Sequence, residues 1–236
     1  MLRFNHFYKA IILVFLNIFI FCQSPKAQEN EKQSPFDVKL DFVSTYVWRG
    51  TMYSGPSVQP SASFESKGFK AGAWASVDFI GTYFEADLYV LYTFNFGLSI
   101  GATDYYYPFY SYTDYTDSTG SHAYEINLGY TIKNVSLSAN YVINEAGAAG
   151  SMGGDIYAEI KYSFKFVSLF AGAGNGWLTV EDQGEPEAND KFGLLNIGTT
   201  ITKGIRITDQ FQLPIFGSLI WNPFAGHFYI VAGFSL

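Results

Sequence analysis

The stretch that decides the fold is Tyr83-Phe84-Glu85-Ala86-Asp87-Leu88-Tyr89-Val90-Leu91-Tyr92-Thr93-Phe94, in which mostly apolar positions alternate with polar or aromatic ones. Successive residues of a strand point to opposite faces of its sheet. Leu88 and Val90 therefore share one face, and Glu85 and Asp87 share the other. A strand of this length with one apolar and one polar face is typical of a transmembrane β-barrel, whose strands contact lipid on one side and the lumen on the other.

The same rhythm recurs along the chain and ends inside a strand, with Phe228, Ile230 and Phe234 on one face. Alternation and turn signals predict twelve strands, at 36–49, 57–65, 69–78, 83–94, 96–107, 122–131, 135–144, 154–164, 166–174, 191–202, 210–221 and 227–236. The long connections all fall at odd-numbered positions, as expected when long loops lie outside the cell and short turns lie in the periplasm. The predicted fold is all-β: a single antiparallel transmembrane barrel of about twelve strands, with both termini periplasmic.

The first residues are predicted to be a targeting segment. Arg3 and Lys9 precede an apolar run at 10–21, which is too short to span a bilayer as a helix and fits a secretory signal. We assign residues 1–27 to a signal peptide, with a cut after Ser24 as the alternative. Residues 28–35 form a short periplasmic segment, and 36–236 form an outer-membrane barrel. Lipidation at Cys22 is disfavoured because bulky Phe21 precedes it.

Composition excludes several classes of protein. Cleavage after Ala27 would remove three of the 14 basic residues and none of the 21 acidic ones, leaving a formal charge of −10 and no cysteine. An acidic chain of this kind is a poor match for nucleic acid, and it offers neither disulfides nor a thiol site. A soluble β-sandwich is the structural alternative, but the high aromatic and low charged content favours contact with lipid.

Aromatic residues are predicted to form two girdles at the ends of the strands, where rings lie at the level of the lipid headgroups. The outer girdle is Trp48, Tyr106, Tyr124 and Trp221, and the inner girdle is Phe94, Phe96, Phe164 and Phe234.

Charged residues are predicted on the lumen face. The pore-lining candidates are Asp37, Lys39, Asp41, Arg49, Lys70, Asp78, Glu85, Asp87, Glu125, Glu159 and Lys161. With Glu65 included, acids outnumber bases by eight to four, which favours cations in a channel. The alternative is a network of ion pairs that fills a closed interior, since twelve strands lie between small packed barrels and open porins. Arg49 is expected to pair with Glu65 or Asp78, or to bind an anionic group.

One segment carries a family resemblance. The Ser-x-Tyr-Val-x-Arg-Gly pattern of residues 44–50, followed by Pro56, Gln59 and the Gly68-Phe69-x-x-Gly72-x-Trp74 segment, resembles the TorF family of proposed porins, earlier catalogued as conserved hypothetical proteins. Tyr105-Tyr106-Tyr107-Pro108 and Tyr124-Glu125 are similar to that family too. The resemblance is most specific over 42–78 and implies an outer-membrane β-barrel, without naming a substrate.

The predicted function is a narrow passive channel for small solutes, with cations favoured. One alternative is a non-conducting barrel that serves as an anchor or a surface-display scaffold. Another is a rim-active enzyme built on His122, with Ser121 or Glu125 as its partner. We expect no catalytic residue, metal or cofactor. The expected partners are outer-membrane lipid and lipopolysaccharide, small solutes and, through the C-terminal strand, the β-barrel assembly machinery; nucleic acid is not expected.

Overall fold

A computed structural model of the chain describes residues 34–108, 111–179 and 191–236. The predicted signal peptide, and all of the predicted segment 28–35 except its last two residues, lie outside these ranges, so their assignments stay predictions. Within the described residues the helices are two three-residue 3-10 turns, Gly147–Ala149 and Gly176–Leu178. Neither of them has the length or the hydropathy that a membrane-spanning helix needs.

The described residues form sixteen strands, twelve of which build one closed antiparallel barrel. The strands are β1 (Phe36–Val43), β2 (Tyr46–Trp48), β3 (Thr51–Ser54), β4 (Ser57–Ser66), β5 (Phe69–Asp78), β6 (Phe84–Thr93), β7 (Leu98–Tyr106), β8 (His122–Ile132), β9 (Val135–Val142), β10 (Glu145–Ala146), β11 (Ser151–Met152), β12 (Ile156–Phe164), β13 (Val167–Gly174), β14 (Gly193–Arg206), β15 (Gln212–Asn222) and β16 (His227–Ser235). Around the barrel the order is β1-β16-β15-β14-β13-β12-β9-β8-β7-β6-β5-β4, so the first and last strands pair and no edge is left open.

The two faces of the barrel wall differ in chemistry as the alternation predicts. Leu88 and Ile126 are 54% and 40% exposed on the outer face, whereas Glu85 and Glu125 on the same two strands are each 1% exposed. Because residue direction alternates strictly, a register slip of one residue would reverse all four. The wall therefore has an apolar exterior and a polar interior, and the predicted all-β closed barrel of twelve strands is confirmed.

The two ends of the barrel also differ. Strands β4 and β5 meet through Lys67 and Gly68, whose φ angles of +52° and +84° match the two-residue type I′ turn of tight hairpins. The other two-residue turns, at 133–134 and 165–166, the start of β1 and the end of β16 lie at this same end, here called the turn end. The longer connections, including 107–121 and 143–155, lie at the opposite end, here called the loop end.

The prediction of one strand over 36–49 is wrong beyond Val43. The wall strand stops there, and a separate two-stranded ribbon of β2 and β3 follows, paired only with itself. Arg49 and Gly50 form its turn with φ angles of +50° and +82°. A Cβ atom on Gly50 would lie 1.9 Å from the carbonyl oxygen of Leu195 on β14, so this position requires glycine for contact as well as conformation.

Candidate functional site: the barrel interior and its hairpin

Residues 44–56, here called the lumen hairpin, fold from the wall into the loop end of the barrel. Near its start, the ring of Tyr46 lies 5.4 Å from that of Trp74 on β5 and 5.8 Å from that of Tyr83. At its tip, the Gly50 carbonyl oxygen accepts a hydrogen bond of 3.0 Å from the side chain of Asn222 on β15. The hairpin therefore contacts widely separated parts of the wall and crosses the bore.

The strongest contact of the lumen hairpin is an ion pair with β8. Arg49 donates through both terminal nitrogens to the two carboxylate oxygens of Glu125, at 2.6 and 2.8 Å. Tyr105 and Asn127 also donate to this carboxylate, at 2.9 and 2.7 Å. The side chains of Arg49 and Glu125 are 10% and 1% exposed, which makes this a buried pair with a bidentate geometry. Arg49 thus pairs with neither Glu65 nor Asp78, the two partners expected from the sequence.

An aromatic layer surrounds the ion pair on the loop side. Trp48 contacts the rings of Tyr105 and Trp177 edge to face, with centroids 5.3 and 5.7 Å apart. Trp177 lies in the 3-10 turn after β13. Asp155 lies in the same region, and its carboxylate accepts a hydrogen bond of 2.9 Å from Ser151. Burial raises the pKa of the Asp155 carboxyl group above its ordinary value. These rings help to cover the Arg49 side chain, which is 10% exposed.

Tyr157 on β12 supplies the wall side of the same contact. The Arg49 guanidinium carbon lies 4.6 Å from its ring centroid and 4.2 Å from that of Trp48. The ring fits because it lies over Gly172, where a Cβ atom would come within 2.1 Å of the Tyr157 hydroxyl oxygen. That hydroxyl donates to Glu159 at 2.6 Å, and Asn196 donates to both groups. Nothing in the sequence near Tyr157 or Arg49 indicates this contact, since the two residues lie on separate elements.

Three of the predicted lumen carboxylates lie close to the lumen hairpin. Glu85, Asp87 and Glu125 are 1%, 7% and 1% exposed. Glu85 accepts a hydrogen bond of 2.7 Å from Tyr83. One oxygen of Asp87 is buried and has no hydrogen-bond partner among the described residues. Among the described residues, Arg49 is the one basic side chain that forms an ion pair with these three carboxylates, so the acids outnumber their basic partner.

Most of the other predicted lumen residues lie nearer the turn end, where the interior is open to water. Asp37 pairs with Lys39 at 3.0 Å, and Lys70 lies 3.6 Å from Glu65, with partly or largely exposed side chains. Lys161 is exposed as well. Glu159 instead accepts its hydrogen bonds beside the Arg49 contact, and one oxygen of Asp41 is buried with no hydrogen-bond partner among the described residues. The interior thus has an open, charged turn end and a packed loop end.

Asp78 has a different position from the other candidates. It ends β5, and its carboxylate accepts hydrogen bonds from the backbone N–H groups of Thr82 and Tyr83, at 2.8 and 3.1 Å. Its role in the structure is to close the turn between β5 and β6.

The aromatic girdle residues occupy the ends of the wall, with one correction. Phe94, Phe96, Phe164, Trp221 and Phe234 are exposed, whereas Tyr106 and Tyr124 are partly covered. Trp48 was predicted to lie in the outer girdle, but it packs inside the barrel on the lumen hairpin. The error follows from extending β1 past Val43, which placed Trp48 in the wall.

His122 lies on the outer face, opposite the lumen. Its Nδ1 is 2.9 Å from Asp104 and its Nε2 is 2.8 Å from the Tyr112 carbonyl oxygen, so both ring nitrogens are engaged. Ser121 instead donates to the Ser111 carbonyl oxygen at 2.8 Å. Glu125 belongs to the Arg49 pair on the inner face. The structure therefore does not bring together the three residues considered for a rim enzyme. Across residues 34–108, 111–179 and 191–236, no group of His, Cys, Asp and Glu side chains has the arrangement of a metal site.

These features define a closed twelve-stranded antiparallel barrel with an apolar exterior and a charged, partly occupied interior. The chain belongs to the Gcw_chp family, described as a bacterial protein of unknown function, which it matches over residues 29–211. The narrower resemblance to the TorF family stays a prediction. Among curated proteins none matches the chain. Among solved structures it is similar to a multiply substituted mutant of the Rh. blastica porin, with 12% identity, a TM-score of 0.44, and coverage of 86% of this chain and 73% of that one.

Proposed function

We propose that the protein is an outer-membrane barrel that acts as a narrow passive channel for small solutes and prefers cations. The observation that carries this proposal is the closed wall with Leu88 and Ile126 outside and Glu85 and Glu125 inside. Lipid requires every backbone polar group of a spanning segment to be paired, which a closed barrel achieves. Transport would be diffusion through a polar bore, without a chemical step.

The orientation and partners follow from the same proposal. Short turns of outer-membrane barrels face the periplasm, so both termini would lie there and the lumen hairpin would lie at the outer side. The exterior would contact phospholipid and lipopolysaccharide. Strand β16, with Phe228, Ile230 and Phe234 on one face, would be presented to the barrel assembly machinery.

The charge close to the lumen hairpin supports a preference for cations. Glu85, Asp87 and Glu125 lie close to the lumen hairpin, and Arg49 balances the charge of Glu125. Asp87 is 7% exposed, and one of its oxygens has no hydrogen-bond partner among the described residues, although buried polar atoms normally have one. Carboxylates at a constriction attract cations and repel anions.

The second candidate function is a non-conducting barrel that serves as an anchor or surface scaffold. It is favoured by the tight packing of the lumen hairpin, whose tip leaves no room for a Cβ atom at Gly50. In that case solutes would enter the turn end and go no further.

A recording of single channels across a planar bilayer in a salt gradient tests the channel proposal. We expect discrete conductance steps and a reversal potential of the sign for cation preference. Replacing Glu85 by Gln and Asp87 by Asn together should move the reversal potential toward zero, whereas Glu145→Gln, at the exposed position of β10, should not. The preference should weaken with salt, because the Debye length falls from about 10 Å at 0.1 M to about 3 Å at 1 M. A silent bilayer with folded protein would favour the anchor instead, and anion preference would mean that Arg49 and the lysines govern the bore.

A further inference from the structure

The residues that surround Arg49 have the chemistry of a ligand-binding site as well as of an ion pair. Glu125 presents both carboxylate oxygens side by side, at 2.6 and 2.8 Å from the two guanidinium nitrogens. Hydrogen bonds from Tyr105 and Asn127 fix the carboxylate, and Thr103 in turn donates to Asn127 at 2.9 Å. A planar carboxylate held in this way matches the fork of a guanidinium and not the point charge of an ammonium.

Two aromatic rings complete the site. The guanidinium lies over Tyr157, which belongs to the wall, and over Trp48, which belongs to the lumen hairpin. Stacking on aromatic faces favours a delocalised planar cation. The wall alone therefore supplies the carboxylate and one ring, and the hairpin supplies the occupant and the second ring.

The ion pair matters for the position of the lumen hairpin because the hairpin is not joined to the wall by strand pairing. Strands β2 and β3 pair with each other and share no ladder with the wall strands. Within the described residues, Arg49–Glu125 is the one ion pair that joins the hairpin to the wall. The hairpin also contacts the wall and loops through the rings of Tyr46, Trp48 and Tyr53 and through the hydrogen bond from Asn222 to Gly50. Backbone hydrogen bonds from Ser44 to Ala232 and from Phe79 to Pro56 hold its two ends.

We propose that Glu125, Tyr105, Asn127 and Tyr157 form a guanidinium-binding site in the barrel wall, and that Arg49 is its built-in occupant and latches the lumen hairpin across the pore. Solutes that carry a guanidinium group compete for this site, so they are the class of ligand that loosens the latch. This inference rests on the proposed channel function for its physiological meaning, but the site itself can be tested without conductance.

The test measures the release of the hairpin by thiol labelling. Ser54 on β3 is 7% exposed, so a Ser54→Cys variant of the mature protein, whose sequence has no other cysteine after residue 27, should react slowly with a water-soluble maleimide. Adding Arg49→Ala should raise the labelling rate by about tenfold or more, since a broken buried pair no longer holds the hairpin. Arg49→Lys, which keeps the charge but loses the fork, should give an intermediate rate and guards against poor folding of the alanine variant.

Guanidinium chloride is the probe for the vacated site. At low, non-denaturing concentration it should slow the labelling of the Ser54→Cys/Arg49→Ala protein toward the rate of the parent, whereas equal sodium chloride should not. The matched control adds Glu125→Gln, which removes the carboxylate and should abolish the effect of guanidinium. The inference is overturned by equal labelling with and without Arg49, or by a guanidinium effect that does not depend on Glu125.

Bilayer recordings of the same variants separate the two proposals. Arg49→Ala should give larger conductance steps than the parent protein. If labelling and guanidinium rescue behave as expected but every variant is silent, the guanidinium site stands and the channel function fails. If the parent protein and Arg49→Ala conduct equally and label equally, the channel stands and the latch is wrong.

Discussion

Arg49→Ala is expected to lower the free energy of unfolding by about 3–5 kcal/mol, because it leaves the Glu125 carboxylate buried without its counter-charge. Glu125 is 1% exposed and receives two of its hydrogen bonds from Arg49. Equilibrium unfolding in urea, with the barrel in lipid vesicles, gives the measurement; urea avoids the guanidinium ion, which would occupy the site.

The control for this loss removes both charges. Arg49→Met combined with Glu125→Gln leaves Tyr105 and Asn127 an amide oxygen to bind and leaves neither of the two positions charged, so it should recover most of the lost stability. A single Arg49→Ala variant within about 0.5 kcal/mol of the parent, the usual range for surface substitutions, would contradict a buried, paired Arg49.

Leu88→Arg is expected to destabilise the barrel in a bilayer by about 2–4 kcal/mol, the range for a cation on the lipid face near the midplane. Leu88 lies in the middle of β6 and points outward with Ile126, so its substitute would face hydrocarbon. The free energy of unfolding in vesicles measures the effect.

The matched control for Leu88→Arg is Ser138→Arg, which introduces the same side chain on the inner face of the wall. Ser138 lies in the middle of β9, faces the interior, is partly exposed, and is opposite Glu159 in the register with β12. An arginine there can remain hydrated or pair with that carboxylate, so we expect a much smaller loss. Equal losses at Leu88 and Ser138 would mean that the two faces do not differ in environment, which contradicts a lipid-facing exterior.

The wall of the barrel could be predicted because its determinants are local. Strict alternation fixes which face each residue occupies, and two-residue turns such as Lys67-Gly68 fix where strands stop. Eleven wall strands fall within a few residues of their predicted ranges, and Leu88, Ile126, Glu85 and Glu125 face the expected sides. The strand β14 runs further than predicted, to Arg206, because nothing in that stretch breaks the alternation.

The interior could not be predicted in the same way. Arg49 and Glu125 are 76 residues apart in the chain, and nothing in the sequence near either residue indicates the other. Two features of the sequence indicate that the wall strand ends before residue 49. The predicted strand 36–49 is longer than any other, and Gly50, Gly55 and Pro56 interrupt the residues that follow it. Sequence alternation alone cannot separate a wall strand from a short ribbon of the same pattern folded inside the barrel.

The central claim is that this chain forms a closed barrel in the outer membrane, and cell fractionation followed by gel electrophoresis of boiled and unboiled samples tests it most directly. The claim predicts the protein in the outer-membrane fraction, with different migration before and after boiling, because the closed wall resists detergent until it is heated. Recovery of the mature protein as a soluble periplasmic monomer, with the same migration in both samples, would contradict it.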